Sequence, residues 1–346
     1  MKKWLTPLLV TSGLLLAACG NNEEDKQTTE STTEKVKVYT TVYPLTYFTE
    51  VIGGEYVDVE SAYPPGANEH SFEPTQKDMI DFANADVLFY IGLGLEGFVE
   101  NAKETLANED VQFIATTDNV SDEKLAISTG EVDSHEGETA KEHAEHSEEL
   151  TTDSHEDESV KEETGQEGRG HGELDPHVWL STDISKDLAL AIKDNLVDEM
   201  PEQAAVFEDN YTQLVTELES LDTAFEEMTT SVSNNTFFVS HAAFGYIAGT
   251  YNLEQVAIAG LNSQDEPSQA ELVELVKMAK ERNIQYVLFE QNISSKLTEI
   301  IQEELGAKSL TLHNLSVLTD EDLQNNENYF TLMEKNIETL RQALTK

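Results

Sequence analysis

The sequence predicts an α/β protein of two lobes, each a mainly parallel sheet covered by helices, joined by one long helix. Three observations predict it. Short β-branched or apolar runs alternate with amphipathic stretches in residues 36–115, the alternation returns in residues 236–344, and an uninterrupted helical stripe lies between.

Val36–Val42 is β-branched and reads as a strand, with a helix from Pro44 to Ile52 that Gly53-Gly54 ends. Tyr56–Tyr63 is a second strand, broken by Pro64-Pro65-Gly66, and a helix is expected over Thr75–Ala83. Asp86–Ile91 is almost continuously apolar, as a strand buried on both faces should be. A helix near Glu96–Leu106 and a strand near Val111–Ala115 complete the first alternation.

Ser181 or Thr182 can cap a helix to Val197, and Pro201 suits the first turn of a longer one. Phe207, Tyr211, Leu214, Leu218, Leu221, Phe225 and Met228 recur at steps of four and three, one apolar stripe roughly 40 Å long at about 1.5 Å per residue. A coiled-coil dimer would also use such a stripe. One four-heptad segment between two α/β halves favours a spine within a single, monomeric chain.

The second alternation follows as strand Thr236–Ser240, helix Ala242–Tyr251, strand Gln255–Ala259 and helix Ser268–Arg282. Strand Gln285–Phe289, helix Ser294–Leu305, strand Ser309–Leu312 and a closing helix Asn328–Leu344 complete it.

Residues 1–19 stand outside this pattern. Lys2 and Lys3 precede an apolar core, Leu5–Leu16, too short to span a bilayer, and Leu16-Ala17-Ala18-Cys19 resembles a bacterial lipoprotein signal. That resemblance implies lipid attachment at Cys19, a membrane anchor and an extracytoplasmic location. Cys19 is the only cysteine, which excludes an internal disulfide and a thiolate metal site. The expected division is a signal segment 1–19, a flexible tether 20–35, an N-terminal lobe 36–190, a helical region 191–232 and a C-terminal lobe 233–346.

The formal charge of −47 excludes nucleic acid as a partner, because nothing here could neutralise a row of phosphates. Much of the acid sits in an insert, residues 131–172, that also holds His135, His143, His146, His155 and His171, five of the nine histidines. Imidazoles diluted in carboxylate make a weak, multivalent metal collector or simply a solubilising loop.

Three other histidines share one structural setting. His70 follows the second strand through the Pro-Pro-Gly turn, His177 lies between the insert and a helix start, and His241 comes directly off a strand. In open α/β sheets ligands collect beyond the carboxyl ends of strands, so the three are expected to converge in a cleft. Neutral imidazole suits Zn²⁺ and its neighbours. His313 has the setting of an ordinary, locally bonded histidine.

The stretches Pro65-Gly66-Ala67-Asn68-Glu69-His70-Ser71-Phe72-Glu73-Pro74, Asp175-Pro176-His177-Val178-Trp179 and Ser240-His241-Ala242-Ala243-Phe244-Gly245-Tyr246 together carry a specific resemblance. From about Lys35 to Lys346 the chain resembles the metal-binding lipoproteins of zinc and manganese ABC importers, and the acidic insert is similar to that of the zinc-preferring branch. The resemblance implies two α/β lobes bridged by a rigid backbone helix, Zn²⁺ held between them, and delivery to an ABC permease driven by its ATPase. It implies no catalysis. A manganese-preferring receptor, a surface adhesin and a secreted zinc hydrolase remain as alternatives, although no His-Glu-x-x-His or Gly-x-Ser-x-Gly pattern is present.

In that family a fourth metal position near the last strand is commonly Asp or Glu, and here it falls on Ser316. Glu69, Glu290 or a water is then left to complete the shell, with a supporting role more in keeping for Glu290. Asp175 suits an acceptor that fixes an imidazole tautomer, and equally a helix-start residue.

Overall fold

The structure is a computed structural model that describes residues 35–129, 174–265, 267–291 and 296–345. Cys19 and the insert histidines His135, His143, His146, His155 and His171 lie outside the described residues.

The first half runs β1 (Val36–Thr40), α1 (Tyr43–Gly53), β2 (Val57–Ser61), α2 (Gln76–Ala83), β3 (Val87–Tyr90), α3 (Val99–Thr105), β4 (Gln112–Ala115) and a short α4 (Asp122–Leu125). After the insert come α5 (Thr182–Glu199) and α6 (Ala204–Ser231). The second half runs β5 (Thr236–His241), α7 (Gly245–Thr250), β6 (Glu254–Ala259), α8 (Gln269–Glu281), β7 (Tyr286–Phe289), α9 (Lys296–Leu305), β8 (Lys308–Thr311), α10 (Asp320–Asn325) and α11 (Tyr329–Leu344).

Both sheets are four-stranded and parallel, in the orders β2-β1-β3-β4 and β6-β5-β7-β8. Strands reached by crossover helices must be apolar on both faces, and β3 and β5 are buried at every position. The helix starts carry their own chemistry. Thr75 with Asp78, Ser268 with Glu271, Thr319 with Asp322 and Asn328 with Thr331 form reciprocal capping pairs that satisfy otherwise orphaned N–H groups.

Two expectations shift. Pro201 opens a separate 3-10 turn, Pro201–Gln203, before α6 begins at Ala204. The helix expected from Ala242 starts only at Gly245, because Ala242 N–H donates to Gly260 and Phe244 N–H to the Gln255 side chain. The stripe of α6 is buried as expected at Phe207, Leu214, Leu218, Leu221, Phe225 and Met228. It packs on α1, α5 and α11 of the same chain, so the stripe is consumed within the molecule. The Phe225 ring stacks on Tyr251 at 4.9 Å, joining this spine to the second half.

Leu218 is fully buried in that seam, whereas Thr216 on the same helix is exposed. Leu218→Ala is expected to lower the unfolding free energy by about 2–5 kcal/mol. Thr216→Ala should stay within about 0.5 kcal/mol. Urea unfolding of chelator-treated protein measures both.

Candidate metal centre

The loop that carries His70 is shaped by its own residues. Gly66 takes a positive φ of 73° and Ala67 N–H closes a turn on Pro64. The Asn68 side chain then accepts from His70 N–H at 3.0 Å, and its amide donates to Ser263 of the second half at 3.0 Å. Gly66 N–H also reaches Leu318 at 3.2 Å, so both ends of the loop are tied across the cleft.

His177 follows Asp175 and Pro176. One Asp175 oxygen accepts from the His177 backbone N–H at 2.9 Å and from its ring Nδ1 at 2.7 Å. The other accepts from Ser128 Oγ at 2.5 Å. His241 ends β5, and its Nδ1 faces both oxygens of Glu290 at 2.9 Å, while Ser240 Oγ donates to the same carboxylate. In both cases a carboxylate holds Nδ1–H and directs Nε2 the other way.

The three rings meet. Their centroids lie 4.9–5.3 Å apart, and one ligand nitrogen from each lies within 4.8 Å of the others. The Nε2 atoms of His70 and His177 are 3.3 Å apart. Two donors at about 2.0–2.1 Å from one tetrahedral ion are separated by about 3.3 Å, so this pair already has the spacing of a zinc edge. His177 and His241 are fully buried and His70 is partly exposed, which leaves its edge as the solvent side of the group.

Electrostatics separate the three. Burial and the two neighbouring imidazoles push His70 down to about 3. Burial would also lower His241, but the Glu290 carboxylate outweighs it and holds the proton above the ordinary histidine range. Glu290 is correspondingly held below the usual carboxylate range despite its burial, chiefly by His241. The Nε2 of His241 lies 3.1 Å from the Leu261 carbonyl. With acceptors at both nitrogens, the doubly protonated ring is the form that satisfies this geometry, and a cation must displace that outer proton.

Glu69 is 1% exposed and burial raises its pKa. One of its oxygens accepts from Asn314 at 3.0 Å, and the other, Oε2, is buried with no hydrogen-bond partner among the described residues. A buried carboxylate oxygen left unpaired is costly unless a cation satisfies it. Ser316, at the position where a carboxylate was expected, turns its hydroxyl to Asn314 and its carbonyl to Tyr43 N–H. His313 accepts from Leu315 N–H and donates to Asp322, as a locally bonded histidine does. Asn314 was not singled out from the sequence. Nothing in its flanking pattern distinguishes it from a surface turn residue.

The family described as ZnuA, zinc-uptake complex component A, periplasmic, matches residues 38–343. The zinc-binding lipoprotein AdcA of Streptococcus pneumoniae is 33% identical over 343 residues, covering 99% of this chain and 61% of that protein. This chain therefore spans less than two thirds of AdcA. The high-affinity zinc uptake system protein ZnuA of Bacillus subtilis is 30% identical over 344 residues, 99% of this chain and 98% of that protein. The crystal structure of the Zn(II)-bound ZnuA-like domain of Streptococcus pneumoniae AdcA matches with a TM-score of 0.67 and 31% identity, covering 90% of this chain and all of that domain. With the fold, the three converging histidines and these matches in hand, the chain is a member of the ZnuA family of zinc-uptake components.

Proposed function

We propose that this protein is an extracytoplasmic zinc receptor, tethered through Cys19, that captures Zn²⁺ between its two halves and delivers it to an ABC permease. The observation that carries the reading is the group His70, His177 and His241, with ligand nitrogens within 4.8 Å of one another and carboxylates behind two of them. Family membership and the zinc-related names of the relatives support it.

His70, His177 and His241 supply three nitrogens, and Oε2 of Glu69, buried and unpaired in the residue before His70, is the candidate fourth donor, although it stands outside the 4.8 Å group of the three nitrogens. The group of three imidazoles and one carboxylate suits zinc better than manganese, which favours oxygen. A carboxylate in the fourth position would leave no open place for an activated water, which favours capture over hydrolysis. Asp175 and Glu290 set the tautomers of His177 and His241 and are not themselves donors. The insert histidines His135, His143, His146, His155 and His171 form an auxiliary collector that raises local zinc near the cleft.

The purified protein should hold one tightly bound Zn²⁺ by competition titration with metal analysis. Alanine at His70, His177 or His241 should weaken it by more than about a hundredfold, beyond the 10- to 100-fold typical of losing an outer partner. Retention of the tight ion by the triple variant would overturn the site.

The proton on His241 sets the pH response. Because its pKa is raised, zinc affinity should fall as the pH drops through that value, and fall further where Glu69, whose pKa burial also raises, takes up a proton. His70 adds no competing proton until the pH nears about 3. Glu290→Gln removes the charge that raises His241, and should move the onset of the fall to lower pH in the same titration.

Deleting residues 131–172 should leave the tight affinity nearly unchanged while reducing total zinc bound and uptake in scarce zinc. An unaltered uptake curve would assign the insert a solubilising role only.

A further inference from the structure

We infer that Asn314, oriented by Ser316, is the positioning residue that holds Glu69 with one oxygen free for zinc. This chain thereby builds its fourth donor from the first half of the molecule instead of from position 316. The inference rests on reading Glu69 as the fourth donor.

Asn314 is fully buried in the turn after β8, and all of its polar atoms are engaged. Its Oδ1 accepts from Ser316 N–H at 3.0 Å, Ser316 Oγ at 2.9 Å and Gln291 Nε2 at 2.8 Å. A backbone N–H can only donate, so the amide oxygen must face Ser316 and the NH₂ must face the cleft. There its two protons go to two carboxylates, Glu69 Oε1 at 3.0 Å and Glu290 Oε2 at 2.8 Å. Oε1 of Glu69 is thereby fixed and Oε2 is left as the unpaired oxygen. The Asn314 backbone completes the anchoring, because its carbonyl accepts from Trp179 Nε1 at 2.7 Å and its N–H donates to Gln291.

One residue thus touches a neighbour of each histidine. Glu69 precedes His70, Trp179 lies two residues after His177, and Glu290 holds His241. The turn that presents Asn314 is built for it. Leu315 sits at a φ of 61°, a region a branched side chain seldom enters, and its N–H is taken up by His313 Nδ1. The identities at 314 and 316 are linked. A carboxylate at 316 would set an acceptor against Asn314 Oδ1 where the serine hydroxyl now donates.

The test is a double-mutant cycle on the full chain, read as zinc affinity by competition titration. Asn314→Ala should weaken zinc by about 10- to 100-fold, the range for losing an outer partner, and Ser316→Ala should weaken it less. In a Glu69→Gln background the cost of either substitution should shrink, because the donor it positions no longer binds, and what is left of the Asn314→Ala cost is carried by its bond to Glu290. Co²⁺ is a second probe, and its visible spectrum in Asn314→Ala should change toward that of Glu69→Gln. Thermal unfolding of the chelator-treated variants monitors the fold, and if Asn314→Ala does not fold, Ser316→Ala carries the same cycle. A harmless Glu69→Gln overturns the fourth-donor assignment, and with it the inference. A harmful Glu69→Gln overturns the role of Asn314 alone if Asn314→Ala is harmless or its cost is undiminished in the double variant.

Discussion

An imidazole grips a metal well only when its far nitrogen is already held. Here two buried contacts meet that condition, Asp175 on His177 and Glu290 on His241, and much of the surrounding structure is arranged to keep them. Glu290 stands one residue past β7, beside the strand that delivers His241, so the parallel pairing of β5 with β7 sets their separation. Asp175 reaches His177 within a single proline-containing turn. The first half contributes His70 on a loop tied across the cleft by Asn68 and Gly66.

The spine explains why such contacts can be exact in register across the cleft. α6 buries one face against α1, α5 and α11, and of these α1 leans on the first sheet and α11 on the second. Parallel topology brings the carboxyl ends of the strands to one edge in each half, and connecting loops collect there. The chemistry then lies in the loops after β2 and β8, at the ends of β5 and β7, and in the turn leading into α5.

Much of this was legible in the sequence because it is periodic. Apolar runs, the α6 stripe and capping residues are local signals, and they placed the strands and long helices to within a few residues. Short α4 and α10 carry too few residues to show a period. His70, His177 and His241 were legible as a group because each sits at the end or the start of an element, in a stretch that carries the family resemblance. Asn314 was not, since its meaning depends on Glu69, 245 positions away, and on Glu290 and Trp179. Glu290 was recognisable as a supporting group, but its partner became clear only from the pairing of β5 with β7. A polar hub is defined by its contacts, which no spacing rule records.

The hydrogen bond between Ser128 and Asp175 also brings together the two stems from which the acidic insert leaves and returns. Thr129 N–H is held by Gly245 and Tyr246 Oη reaches the Asp175 carbonyl, so both stems are fastened to α7. Gly249 permits this close seating, as a methyl group there would lie 1.8 Å from the Ile127 carbonyl oxygen. For a loop closed between fixed ends, each doubling of length costs only about 0.6 kcal/mol. The chain on either side of residues 130–173 is therefore anchored on α7 by contacts that do not depend on the length or composition of what joins them.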